Sequence, residues 1–88
     1  MEGGDYDLAV PVEIAAGVYA HTLYAWHTVH EFTLDFGVRE RDDPSQPYLG
    51  VARVRVPVTL MFEMIRILNA DLTRYEQRFG EISPPGAA

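Results

Sequence analysis

The sequence predicts an α+β domain: a three- to four-stranded antiparallel β-meander packed on one long C-terminal α-helix. Three observations carry that prediction. Residues 30–38 alternate apolar and polar side chains with period two, and residues 48–56 resume the alternation after a charged loop holding two prolines. From Pro57 onward the period changes, with apolar residues recurring in steps of four and three as far as Phe79, and Gly80 follows at once. Finally, 88 residues leave room for one hydrophobic core and no second domain.

Composition narrows the function classes before any element is placed. There are 7 basic residues against 13 acidic ones, a net charge of −6, which is the wrong sign for neutralising phosphates over a broad surface. Nucleic acid is therefore not expected as a partner. Apolar residues make up 48% of the chain, too many for a disordered segment, yet no uncharged apolar run approaches the roughly 18 residues of a membrane span. Cysteine is absent, which excludes disulfides and thiolate zinc sites and fits a reducing cytoplasm. The first residues carry acids rather than a basic stretch ahead of an apolar one, and do not read as a secretory signal.

In chain order, residues 1–8 read as a flexible arm, residues 9–82 as the single domain and residues 83–88, proline-rich with nothing to pack, as a disordered tail. Residues 17–28 are rich in aromatic and β-branched side chains and predict the first strand. Neither of its faces is plainly polar: one carries Tyr24 and Trp26, the other Tyr19, Leu23 and the histidines 21 and 27. The step at Thr28 and Val29 is short enough for a hairpin. In the second strand Phe32, Leu34 and Phe36 share one face and are expected in the core. The charged segment 39–47, with two prolines, reads as the longest loop. In the third strand Ala52, Val54 and Val56 alternate with Arg53 and Arg55, which are expected to face Asp35 and Glu31 across an antiparallel pair.

Pro57 ends that strand and suits the first helical position, where its missing N–H has no intrahelical partner to lose. The helix is expected to reach Phe79. Its stripe is Met61, Ile65, Leu68, Leu72, Tyr75 and Phe79, widened by Leu60, Met64 and Ile67, and Gly80 stands where a left-handed cap is needed. A helix of that length is a rod of about 34 Å, longer than a narrow sheet is wide, so part of its apolar stripe overhangs and calls for a second chain.

Sites for chemistry are scarce. His27, His30 and Glu31 are the only cluster that invites a metal, and two histidines flanking a turn make a weak, exposed site. His21 lies six residues from His27 along one strand, roughly 20 Å away, too far to share an ion. Glu31 and Asp35 are roughly 14 Å apart, outside the spacing of two-carboxylate hydrolases. Serine occurs only at positions 45 and 83, neither on a strand-to-helix elbow, and no glycine-rich phosphate loop exists. These absences predict no catalytic residue, no cofactor and no enzyme.

The chain reads Gly-Val-Tyr-Ala-His at 17–21, His27-Thr28, Glu-Phe-Thr-Leu-Asp-Phe at 31–36, Arg-Val-Arg-Val-Pro at 53–57 and Tyr-Glu-x-x-x-Gly-Glu-Ile at 75–82. Over nearly its whole length it resembles a small prokaryotic family, domain of unknown function 3467 (DUF3467). His21 stands where that family usually has asparagine. Val56 stands where a threonine often caps the helix, which implies a weaker cap. The resemblance implies no activity. The layout of a short meander and a long following helix also resembles SecB-type export chaperones at the level of fold. The reading that fits these observations is a non-enzymatic protein-protein interaction module, a homodimer with another protein as the second candidate partner, using Tyr19, Leu23, Tyr24, Trp26, Met64 and Leu72 as contact residues. The alternatives are a chaperone or adaptor for extended clients, and a small metal-binding protein using His27, His30 and Glu31.

Overall fold

The computed structural model describes residues 7–39, 45 and 47–83. The order of elements is β1 (Thr22–His27), β2 (Glu31–Val38), β3 (Leu49–Pro57) and α1 (Leu60–Phe79). The three strands form one antiparallel sheet in the order β1-β2-β3, so β2 is central and β1 and β3 are its edges. The helix follows the sheet, giving the expected α+β arrangement with three strands. The expected arm and tail lie largely outside the described residues, as do positions 40–44 and 46 of the loop.

Two boundaries and one cap conformation differ from the sequence prediction, while the helix ends at Phe79 as expected. The first strand begins at Thr22 rather than 17. Ahead of it the chain turns on itself, with the Ile14 N–H donating to the Pro11 carbonyl at 3.1 Å and the Gly17 N–H to the Ile14 carbonyl at 3.0 Å. Gly17 takes a positive φ of 73°. The ladder starts where the His21 N–H donates to the Gly37 carbonyl at 3.0 Å. Residues 17–19 would pass beyond the end of β2, and strand propensity has no effect without a strand to pair with.

The second difference is at Pro57, which is the last residue of β3 and not the first of the helix. The Val58 N–H still donates to the His30 carbonyl, at 3.4 Å, so the chain leaves the sheet only after it. Thr59 occupies the N-cap position with no side-chain cap bond, and Val56, expected near a capping position, is a buried strand residue. The third is at Gly80, where φ is positive, 93°, but ψ is 169°, extended rather than left-handed helical. Its N–H donates to the Glu76 carbonyl at 2.8 Å and closes the last turn.

The chain divides into two compact units, Met1–Tyr24 with Asp35–Arg53 and Ala25–Leu34 with Val54–Ala88. In the first, Gly37 is buried and Phe36, Val38, Val51 and Ala52 are half-buried. Arg53 holds Asp35 through paired bonds of 2.6 and 2.9 Å. In the second, Thr28 builds the hairpin turn: its N–H donates to the Glu31 carbonyl at 2.9 Å, and its Oγ1 accepts from the His30 and Glu31 N–H groups at 3.1 and 3.3 Å. Arg55 pairs with Glu31 at 2.6 Å. Both arginine–carboxylate pairs join the residues that the alternation predicted.

The apolar interior of the second unit is small. Leu34 and Val56 are 7% and 6% exposed, and Thr33, on the opposite parity of β2, is 1% exposed. Phe32, expected as core, is only half-buried, as is Phe36 in the other unit. No residue of α1 is buried, and Met61, Met64 and Glu76 are its half-buried positions. An apolar stripe at helical spacing ordinarily marks a buried face. In this helix it does not.

Candidate interaction surfaces

The first surface is the stripe of α1. Ile65, Leu68, Leu72, Tyr75 and Phe79 are between 42% and 66% exposed, and Phe62 beside them reaches 86%. Tyr75 and Phe79 lie one turn apart with ring centroids 5.0 Å from each other and planes tilted by 45°. The helix holds its polar side locally: Glu63 pairs with Arg66 at 2.6 Å and Asp71 with Arg74 at 3.1 Å, each three residues apart. Those charges keep one face of the helix wet.

At its N-terminal end the stripe opens into a groove of about 640 Å³ lined by Phe32, Val58, Thr59, Met61, Phe62 and Ile65. Phe32 reaches it from β2, with the His27 ring tilted against it at 5.2 Å. Val58 and Thr59 reach it from the two-residue turn that joins strand to helix. Apart from the Thr59 hydroxyl, the lining side chains offer only apolar surface. Such a groove suits aromatic or aliphatic side chains and has little to hold a polar substrate.

The second surface is the outer edge of β1. Its six residues, Thr-Leu-Tyr-Ala-Trp-His, contain no Asp, Glu, Lys, Arg or Pro, whereas β3 at the other edge carries Arg53, Arg55 and Pro57. Charge and proline on an edge strand discourage further pairing, and β1 lacks both. Leu23, Tyr24 and Trp26 are each at least half exposed. Tyr24 lies edge-on to Tyr48 at 6.2 Å, and His21 lies edge-on to the same ring at 6.0 Å. The Arg39 guanidinium covers Tyr48 at 4.1 Å, while the Arg39 N–H donates to His21 Nε2 at 3.1 Å. His21 thus ties the strand end to Arg39 and Tyr48. Tyr19, before β1, is 78% exposed, its ring 6.3 Å from that of His21.

The residues singled out from the sequence therefore fall into separate places. Tyr19, Leu23, Tyr24 and Trp26 lie on or beside the β1 edge. Leu72 lies on the exposed stripe, and Met64 is half-buried beside it. The groove residues Val58 and Phe62 were not singled out, although Phe62 adjoins the stripe at the next position after Met61. That adjacency was the available signal. His27, His30 and Glu31 do not assemble: the Glu31 carboxylate is held by Arg55 and the His27 ring rests on Phe32. Among the described residues no three His, Asp or Glu side chains are placed to hold a metal ion. Among them, too, no helix is long and apolar enough to cross a membrane.

A small α+β domain with an exposed apolar helix face and an edge strand that carries neither charge nor proline is what the geometry defines. The family model described as protein of unknown function (DUF3467) matches residues 2–84, and the chain belongs to that family. No curated protein and no solved structure matches it.

Proposed function

We propose that the protein is a non-enzymatic protein-protein interaction module that acts as a homodimer. The observation that carries this reading is the exposed stripe of α1. A 20-residue helix with an apolar face and no buried residue gains too little from its own chain to account for its order. Most helical stability in proteins comes from packing an amphipathic face. The six-membered stripe with Phe62 presents up to roughly 800 Å² per chain, one side of a standard protein interface. The apolar lining of the groove favours association over catalysis.

Light scattering on the purified chain at tens of micromolar tests the reading. A particle of about twice the 9.9 kDa chain mass is expected. A monomer defeats the homodimer. If that monomer instead co-elutes with a permanently unfolded client, the adaptor role takes its place, and the charge-free β1 edge is where an extended segment would add as a strand.

A further inference from the structure

We infer that two copies of α1 pair antiparallel across a two-fold axis passing beside Asn69 and Asp71, each seating its Phe79 and Tyr75 in the other's groove. This rests on the homodimer reading and specifies which face makes it. The stripe runs Met61, Ile65, Leu68, Leu72, Tyr75, Phe79, with steps of four, three, four, three and four, and reads the same from either end. A second helix laid antiparallel therefore meets every layer: 61 faces 79 of the copy, 65 faces 75, and 68 faces 72. Alternating threes and fours are the spacing of a helix–helix seam.

The ends of the stripe are complementary in shape as well as spacing. The groove is at the N-terminal end, bounded by Phe32, Met61, Phe62 and Ile65, and the exposed, mutually tilted Tyr75 and Phe79 rings lie at the C-terminal end. Antiparallel pairing brings the one onto the other twice. Phe79, 66% exposed, lands opposite Met61 in a groove of about 640 Å³, ample for two aromatic side chains. A parallel pair leaves each groove facing the other groove, with the aromatic pairs far from both.

Charges favour the same arrangement. In a parallel pair Asp71 would flank Glu76 of the copy on both sides of the seam, two repulsive contacts. The antiparallel pair leaves one like-charge contact, Asp71 with itself at the axis, and each Asp71 already holds Arg74 at 3.1 Å. On the other flank Asn69 meets Asn69 of the copy. Carboxamides carry both donors and an acceptor, so that pair can bond reciprocally. Antiparallel axes also place each positive helix end beside a negative one.

The chain has no cysteine, so single thiols report the geometry directly. Asn69→Cys should be linked to itself by a short bismaleimide reaching about 8 Å, the separation of packed helix axes. The link should form in native buffer and be lost in urea, while Gln77→Cys on the outward side stays unlinked. A mixture of Met64→Cys and Arg78→Cys chains should give a mixed linked dimer, and this second arm stands if Asn69→Cys does not fold. A chain that scatters as a dimer but links at neither position overturns the helix pairing and leaves the homodimer in place. A monomer overturns both.

Discussion

At Gly37 the central strand has no room for a side chain. A Cβ built there would lie 2.9 Å from the Leu49 carbonyl oxygen and 3.2 Å from the Thr22 methyl, and the first of these is backbone that cannot swing aside. Gly37→Ala is expected to destabilise the fold by about 1–3 kcal/mol, the usual cost of overpacking, read as a lower urea midpoint. An unchanged midpoint would mean that β2 and β3 separate at no cost. This constraint was not legible in the sequence, where Gly37 is one member of an alternating run, because the close approach comes from the neighbouring strands. The Arg53–Asp35 and Arg55–Glu31 pairs were legible, since period two fixes which side chains share a face. The Asp35 hydrogen bond, followed by its charge, raises the Arg53 pKa above its ordinary value. A raised value on a basic group gives stability that is full below the unfolded pKa and lost above the folded one. This pair's guanidinium therefore adds no pH dependence near neutrality.

Among the elements, α1 was the most legible, its end at Phe79 included, and its start the least. Its stripe was readable because a four-three repeat sustained over twenty residues fits a helix and neither a strand nor a loop. Its start was not, because Pro57 is as good a strand terminus as a first helical residue, and the Val58–His30 bond decides between them. The first strand was overextended for a related reason: Val18 and Tyr19 favour a strand, and only the position of β2 says where pairing stops. At the helix end Gly80 has φ 93° and ψ 169°, a region open in practice only to glycine. Gly80→Ala is expected to cost about 1 kcal/mol and to speed amide exchange in the last turn, from Glu76 to Phe79, leaving the sheet amides unaffected. Uniform exchange across the helix would show that this glycine does not set its end.

For the whole molecule, the burial of Phe32 and Phe36 was overestimated from their parity alone. Alternation says which residues share a face but not what covers that face, and α1 leaves most of its own stripe exposed. Among the described residues Leu34 and Val56 are the buried apolar side chains. If association supplies the rest of the core, folding and assembly are one equilibrium. The urea midpoint is then expected to rise with chain concentration, each tenfold increase adding about 1.4 kcal/mol per mole of dimer. A midpoint that stays fixed over a hundredfold range would require the monomer to be stable alone. So thin an interior also bears on how the chain survives in a cell. On the homodimer reading, a copy that has not met its counterpart would present itself to proteases almost as an unfolded polypeptide, and cleavage would draw on that population continuously. Steady-state abundance would then respond to synthesis with a threshold: weak expression would leave nearly nothing, and output past the dissociation constant would accumulate as a long-lived pool.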